Sequence, residues 1–220
     1  MSAMTEILVI RHGETDWNVD KRLQGHTDIG LNQAGQRQAQ ALARSLENEQ
    51  LDAIFASDLQ RARDTAQAVA DVQDLPVQIE VALRERCYGG FEGLRHVEIE
   101  QRYPLDFAAW RARAPDVRYP AGERIAETMR EFSARAVGAV TALARQAAAR
   151  GQQRIAVVTH GGVLECLHRW SQRTSFAVER DFDIFNASIN RMRWDGEHLH
   201  LTQWGDVRHL NAAVLDEVDR

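Results

Sequence analysis

The chain has 220 residues, of which 44% are hydrophobic and 27% charged, a balance typical of a soluble globular protein. Its formal net charge of −5 argues against a nucleic-acid-binding surface, which is normally basic. No apolar run approaches the roughly 20 residues that cross a bilayer, and the first residues lack a basic leader. The two cysteines show no CxxC spacing, so we expect a cytoplasmic protein without disulfides.

Short hydrophobic runs rich in β-branched residues predict the strands of a sheet. Three runs, Ile7–Ile10, Ala53–Ala56 and Ile155–Val158, are continuous, as expected for strands buried on both faces, and 77–81 alternates. Two late segments, 189–194 and 198–204, alternate around a turn at Asp195-Gly196 and predict outer strands that add at an edge of the sheet.

Between these runs, apolar residues recur every three or four positions, which predicts amphipathic helices. We expect Asn32 to cap the first helix and Ser57-Asp58 to cap the next. A long helix is predicted from 123 to about 150, ended by Gly151, and a later one from 162 to 170. Strands that alternate with helices predict an α/β fold with a mainly parallel sheet.

Polar clusters follow three of the predicted strands directly. Arg11-His12-Gly13-Glu14 follows the first strand, Ser57-Asp58 with Arg61 follows the second, and Thr159-His160-Gly161-Gly162 follows the strand at 155–158. Ligands of open α/β sheets bind at the carboxyl ends of the strands. We therefore expect His12, His160, Arg11 and Arg61 to converge on one pocket.

The residue types of this pocket indicate a phosphate ester as the ligand. Arginines present planar, permanently charged forks that match phosphate oxygens, and helix starts near Ser57 and at Gly161-Gly162 add backbone N–H donors. One histidine can be the nucleophile and the other a donor to the phosphoryl oxygens. Taken singly, each cluster is more often a turn or a solvated helix residue. The prediction therefore depends on the position that all three clusters share, directly after a predicted strand.

These clusters resemble the signature of the histidine phosphatase superfamily, which includes the cofactor-dependent phosphoglycerate mutases. The matching residues are Arg11 to Asn18, Gly25 to Asp28, Leu31, Gly35, Ser57 to Ala62, Thr65-Ala66, Leu83 to Glu85, Gly89, Phe91 to Gly93, Gly122-Glu123 and Val158 to Gly162. The resemblance implies a three-layer sandwich over residues 1–220, with a mainly parallel mixed sheet between helices. In this expected fold, the Gly- and Pro-rich segment 88–120 is an inserted, partly helical cap over the active site. Arg124 departs from the family pattern, in which a serine usually follows the glutamate that Glu123 matches.

The resemblance also implies a role for each site residue. His12 would attack phosphorus and become phosphohistidine, and Glu85 would be the proton donor to the leaving oxygen. The catalytic set is His12, Glu85, His160, Arg11 and Arg61, and the phosphate-binding set is Arg11, Asn18, Gln24, Arg61, His160 and Gly161. His12 must be neutral, so its other nitrogen should donate to a fixed acceptor such as a backbone carbonyl. Arg11, Arg61 and a protonated His160 could supply the charge that Mg²⁺ gives other enzymes.

No metal site and no cofactor is expected. His198 and His200 share a strand face, but no acid or cysteine pattern accompanies them. The predicted partner is a small-molecule phosphate monoester, with neither nucleic acid nor membrane, and a homodimer is common among soluble enzymes.

The predicted function is a metal-independent phosphomonoesterase of the histidine acid phosphatase type. The alternative is a phosphoglycerate mutase, with 2,3-bisphosphoglycerate as primer, in which a second hydroxyl replaces water as the acceptor. The region after Glu85 is compact, which favours the phosphatase, and we interpret Arg111, Arg113 and Arg118 as solvated charges rather than substrate contacts. A non-catalytic phosphate-ester-binding module ranks third.

Overall fold

The strands form a mixed sheet. In chain order they are β1 Thr5–Arg11, β2 Ala53–Ala56, β3 Val77–Ile79, β4 Arg154–Thr159, β5 Ile189–Trp194 and β6 Leu199–Asp206. In the computed structural model, which describes residues 4–210 and residue 216, these six strands are ordered β3-β2-β4-β1-β5-β6. The first four are mutually parallel, whereas β5 pairs antiparallel with β1 and with β6. The predicted mainly parallel sheet with late strands at an edge is confirmed.

Helices cover both faces of this sheet, because successive side chains of a buried strand point to opposite sides. They are α1 Asp16–Val19, α2 Gln33–Leu46, α3 Gln60–Gln73, α4 His96–Arg102, α5 Pro104–Arg111, α6 Met129–Ala149 and α7 Gly161–Gln172. Helices α2 and α3 pack on the face that carries Leu8 and Ile10, and α6 and α7 pack on the face that carries Ile7 and Val9. The result is the expected three-layer sandwich.

The start of α2 is the predicted one, but the start of α3 is not. Asn32 caps α2 by accepting a hydrogen bond from the N–H of Gly35. Helix α3 begins at Gln60, two residues after the predicted cap at Ser57-Asp58. The N–H of Gln60 instead donates to the carboxylate of Asp28, 2.7 Å away, so a side chain from a distant loop satisfies this helix end.

Helix α6 begins six residues later than predicted. Thr128 is its N-cap, and Thr128 and Glu131 exchange two side-chain-to-backbone hydrogen bonds in a capping box that fixes the start. Ile125, which the apolar spacing placed in this helix, precedes it and is 72% exposed. The predicted end is confirmed, since Gly151 follows the helix with a φ of +70°.

The segment 88–120 is partly helical, as predicted. It contains a short 3-10 turn at Gly89–Phe91 followed by α4 and α5, and its aromatic residues form a third apolar cluster around Phe91 and Tyr119. The strand expected at 77–81 ends at Ile79 and continues into a 3-10 turn at Val81–Leu83. Both cysteines are free and buried. Within residues 4–210, no helix combines the length and the hydropathy needed to cross a membrane.

Candidate active site

The carboxyl ends of β1, β2 and β4 bring the predicted residues together. His12 follows β1, Arg61 lies in the first turn of α3 after β2, and His160 follows β4. The N–H of His12 donates to the carbonyl of Thr159 at 3.0 Å, and the ring centroids of His12 and His160 lie 5.2 Å apart. His12, Arg61 and His160 are all buried, and His12 and Arg61 line a small cavity together with Glu85.

The hydrogen bonding of His12 leaves one ring nitrogen ready to attack. Its Nδ1 lies 2.7 Å from the carbonyl oxygen of Gly13. Because a carbonyl only accepts, Nδ1 carries the proton and Nε2 keeps its lone pair. Burial, followed by the positive charges of Arg61 and Arg11, lowers the pKa of His12 well below its usual value of 6.5. The ring is therefore neutral at neutral pH, as a nucleophile requires.

The backbone at His12 and Gly13 is held by side chains from distant parts of the chain, one of which no sequence motif marks. The side chain of Asn186 donates to the carbonyl of His12 at 3.1 Å, and the N–H of Ala187 donates to the same oxygen. The hydroxyl of Thr65 accepts from the N–H of Gly13 at 3.0 Å. Asn186 lies between predicted elements, where no periodicity or motif marks it, so only the folded chain identifies it.

His160 is fully buried at the N-cap of α7, and neither of its ring nitrogens has a hydrogen-bond partner among the described residues. Burial, followed by the charge of Arg61, lowers the pKa of His160 well below 6.5. The ring by itself is therefore neutral at neutral pH, and its protonated form beside a phosphoryl group stays a prediction. A phosphoryl group beside it would favour the protonated ring, because an opposite charge stabilises the charged form.

The two arginines are buried and oriented by backbone carbonyls. Arg61 donates through Nη1 to Thr27 at 3.0 Å and through Nη2 to Gly25 at 2.8 Å, and Arg11 donates through Nη1 to Ile184. A carbonyl fixes a guanidinium without cancelling its charge. Arg61 is thus a buried cation held in position and not a solvated helix residue.

The remaining predicted phosphate ligands lie at the same place. The Oδ1 of Asn18 accepts two hydrogen bonds from Thr15, and its Nδ2 has no partner among the described residues and is free to donate to a ligand. Gln24 lines a cavity shared with His12, Arg61 and Glu85. Gly161 is the first residue of α7, and its contact with phosphate stays a prediction. At the helix start after Ser57, Asp28 uses the first N–H of α3, and a contact of the other N–H groups with phosphate stays a prediction.

Glu85 is anchored at the start of α7. Its Oε2 accepts from the N–H of Gly162 at 2.9 Å, and its Oε1 accepts from the N–H of Arg86 at 2.7 Å. A Cβ on residue 162 would lie 2.3 Å from the Oε1, so only glycine allows this approach. Glu85 lines the same cavity as His12 and Arg61.

A second glutamate near the site was missed. Glu123, which matches the glutamate of the family pattern, is exposed and followed by arginine. The structure instead places Glu127 against the Glu85 segment, where its carboxylate accepts from the N–H of Cys87 at 2.9 Å and pairs with Arg135 at 2.6 Å. Thr128 follows it, and this glutamate-hydroxyl pair is the signal that could have revealed the position.

The 88–120 segment contributes Tyr88 to the catalytic cavity. Arg111 and Arg113 line a second cavity of about 310 Å³, and Arg118 pairs with Glu131 at 2.5 Å. The role of the segment as a cap stays a prediction.

Of the two strand histidines, His200 has an acidic partner. His200 bonds to Asp195 at 2.6 Å, and no cluster of three or more potential metal ligands occurs in the part of the chain that the structure describes.

Comparisons with known proteins agree with this architecture. The family model of the histidine phosphatase superfamily (branch 1) matches residues 7–207. Phosphoglycerate mutase-like protein 4 of Arabidopsis thaliana is 39% identical over 94% of this chain and 88% of its own length. The metal-independent phosphoserine phosphatase of the same plant is 34% identical over 96% of this chain and 86% of its own.

Solved structures show the same similarity. Bacillus stearothermophilus YhfR superimposes with a TM-score of 0.81 at 31% identity, covering 93% of this chain and 98% of its own. The structure of a putative alpha-ribazole-5'-P phosphatase from Escherichia coli gives a TM-score of 0.80 at 27% identity, covering 92% and 96%. With its signature residues gathered at the ends of three parallel strands, this chain belongs to the histidine phosphatase superfamily.

Proposed function

We propose that this protein is a metal-independent phosphatase that hydrolyses small phosphate monoesters through a phosphohistidine on His12. The observation that carries the proposal is the bond from Nδ1 of His12 to the carbonyl of Gly13, because it leaves Nε2 unprotonated in a cavity shared with Arg61 and Glu85. The similarity to a protein named a metal-independent phosphoserine phosphatase supports hydrolysis without a metal.

In the first step, Nε2 of His12 bonds to phosphorus as the ester P–O bond breaks. Glu85, protonated at this stage, delivers its proton to the leaving oxygen, and the product alcohol departs. The charge on the phosphoryl oxygens is neutralised by Arg11 and Arg61, while His160 donates an N–H. Buried, preorganised donors of this kind stabilise the transition state more than donors in water do.

In the second step, the oxygen of a water molecule attacks phosphorus. Glu85, now a carboxylate, takes a proton from this water, and the N–P bond breaks with its electron pair returning to Nε2 of His12. Inorganic phosphate leaves, and the enzyme is restored with Glu85 protonated. One carboxyl thus serves as acid and then as base.

A mutase is the second candidate, because relatives include a probable phosphoglycerate mutase GpmB of Cronobacter sakazakii, 32% identical over 99% of this chain. In a mutase, a hydroxyl of the bound acid would take the place of water in the second step.

One experiment separates these functions. The protein is incubated in EDTA with O-phosphoserine, with p-nitrophenyl phosphate, and with 3-phosphoglycerate plus a trace of 2,3-bisphosphoglycerate, while phosphorus NMR follows every species. Release of inorganic phosphate that is abolished by His12→Ala supports the phosphatase. Conversion to 2-phosphoglycerate with little free phosphate would establish the mutase instead. Absence of turnover with all three substrates would favour a binding module.

A further inference from the structure

Arg135 of α6 reaches back about 50 residues to the segment that carries Glu85. Its Nη1 donates to the carbonyls of Ala82 at 2.9 Å and Arg84 at 2.8 Å, and its Nη2 donates to the carbonyl of Glu85 at 3.0 Å. Its Nε and Nη2 also donate to the Glu127 carboxylate, at 2.7 and 2.6 Å. These five hydrogen bonds use the whole donor set of a guanidinium.

Glu127 holds the same segment from its other end. Its Oε2 accepts from the N–H of Cys87 at 2.9 Å while it pairs with Arg135. Burial raises the pKa of Glu127, but the hydrogen bonds from Arg135 and Cys87 outweigh this effect, so the pKa is lowered and the carboxylate stays charged. Arg135 and Glu127, here called the clamp, therefore hold residues 82–87 by hydrogen bonds to three backbone carbonyls and one backbone N–H.

The segment needs such a clamp because no strand or helix orders its backbone after Leu83. Backbone groups outside regular structure must find other partners. The carbonyl of Glu85 has two, since the ring of His26 donates to it through Nε2 at 2.8 Å alongside Arg135. The hydroxyl of Thr159 donates to the carbonyl of Leu83 at 2.7 Å, which ties the segment to β4.

We propose that Arg135 and Glu127 are positioning residues for proton transfer, which hold the carboxyl of Glu85 at the distance from the leaving oxygen that the reaction needs. The inference rests on the proposed function, in which Glu85 is the acid. Among the described residues, those that line the catalytic cavity include Glu85 but not Arg135 or Glu127, so the clamp acts through the backbone of Glu85. A displacement of about 1 Å at a catalytic group can cost 10²-fold in rate.

Leaving-group dependence distinguishes positioning from a general structural role. O-phosphoserine releases an alkoxide, which must be protonated as it departs, whereas p-nitrophenyl phosphate releases a stable phenolate that needs no proton. The constant kcat/KM reports the steps up to formation of phosphohistidine. A misplaced Glu85 therefore lowers kcat/KM for O-phosphoserine and leaves that for p-nitrophenyl phosphate nearly unchanged.

The test compares Arg135→Gln, Glu127→Gln and the reference variant Glu85→Gln with both substrates. Glu85→Gln should lose about 10²- to 10⁴-fold with O-phosphoserine, the usual contribution of general acid catalysis. Arg135→Gln should lose about 10- to 100-fold with O-phosphoserine and less than about 3-fold with p-nitrophenyl phosphate. Arg135→Lys keeps the charge but not the five-bond geometry, and should fall between Arg135→Gln and wild type.

Arg130→Gln is the matched control, because Arg130 lies on the same helix and pairs with Asp116 at the surface. It should leave both kcat/KM values unchanged, and thermal melting checks that each variant is folded. Equal losses with both substrates, in Arg135→Gln and in Arg135→Lys, would show a merely structural role and overturn the inference. If Glu85→Gln lowers kcat/KM equally for both substrates while His12→Ala is inactive, Glu85 is not the acid. The clamp then has no role in positioning it for proton transfer. Failure of wild type to hydrolyse either substrate would overturn the proposed function itself.

Discussion

The stability of the ligand-free protein should fall as the pH drops below about 6.5, because two histidines are buried without charge in the phosphate pocket. Burial, and then the arginine charges, lower the pKa of both His12 and His160 well below 6.5 in the folded protein. In the unfolded chain both rings take up a proton near pH 6.5. Below that pH the unfolded state binds more protons, so the contribution of these residues to stability is complete above 6.5 and is lost as the pH falls.

The size of the effect follows from counting protons. Each histidine that is protonated only in the unfolded chain contributes about 1.4 kcal/mol per pH unit to the slope of the unfolding free energy. The pair should therefore approach about 2.7 kcal/mol per pH unit. The pKa values of His26, His168 and His209 are lowered too, so the total slope is larger than that of the pair.

Urea unfolding followed by circular dichroism, at steps between pH 5.0 and 7.5, measures this slope. This interval lies above the normal pKa values of the carboxyl groups, which therefore contribute little. The wild type is compared with His12→Gln, His160→Gln and the double variant. Each single substitution should lower the slope of unfolding free energy against pH by the equivalent of about one proton, and the double variant by about two. This difference does not depend on the absolute stability of each variant. A double variant that keeps the wild-type slope would refute the reasoning, since the two rings would then titrate alike in the folded and unfolded states.

Four further outcomes are expected. His12→Ala should abolish turnover with every phosphate ester and leave no phosphorylated protein detectable by mass spectrometry; residual hydrolysis at the wild-type rate would remove His12 as the nucleophile. Gly162→Ala places a Cβ 2.3 Å from Oε1 of Glu85, so steady-state kinetics should show about a 10²-fold loss of kcat/KM for O-phosphoserine. Asn32→Ala removes the cap of α2 and should lower the unfolding free energy by about 1 kcal/mol in urea titrations, with kcat unchanged. Prolonged dialysis against EDTA should leave the phosphatase rate unchanged, and restoration of a lost rate by added metal would contradict the mechanism.

Much of the fold could be predicted because its signals are local. Apolar runs such as Ala53–Ala56 have no solvent-facing side, so they can only be interior strands, and their alternation with helical periodicity selects a parallel sheet. The topology rule then requires polar residues after those strands to share one edge, which is why the sequence predicts that His12, Arg61 and His160 lie together. The cap of α2 was also predictable, because Asn32 bonds to a residue only three positions away.

What the sequence by itself determined is therefore the order of the elements, the edge at which the site lies and the residue types that meet there. The tertiary structure alone decided what depends on contacts between distant residues. Asp28 fixes the start of α3 from more than 30 positions away in the sequence, and Arg135 holds the backbone of Glu85 from 50 positions away. The neutral state of His160 likewise follows from full burial beside Arg61, a property of the packed pocket and not of the chain around it.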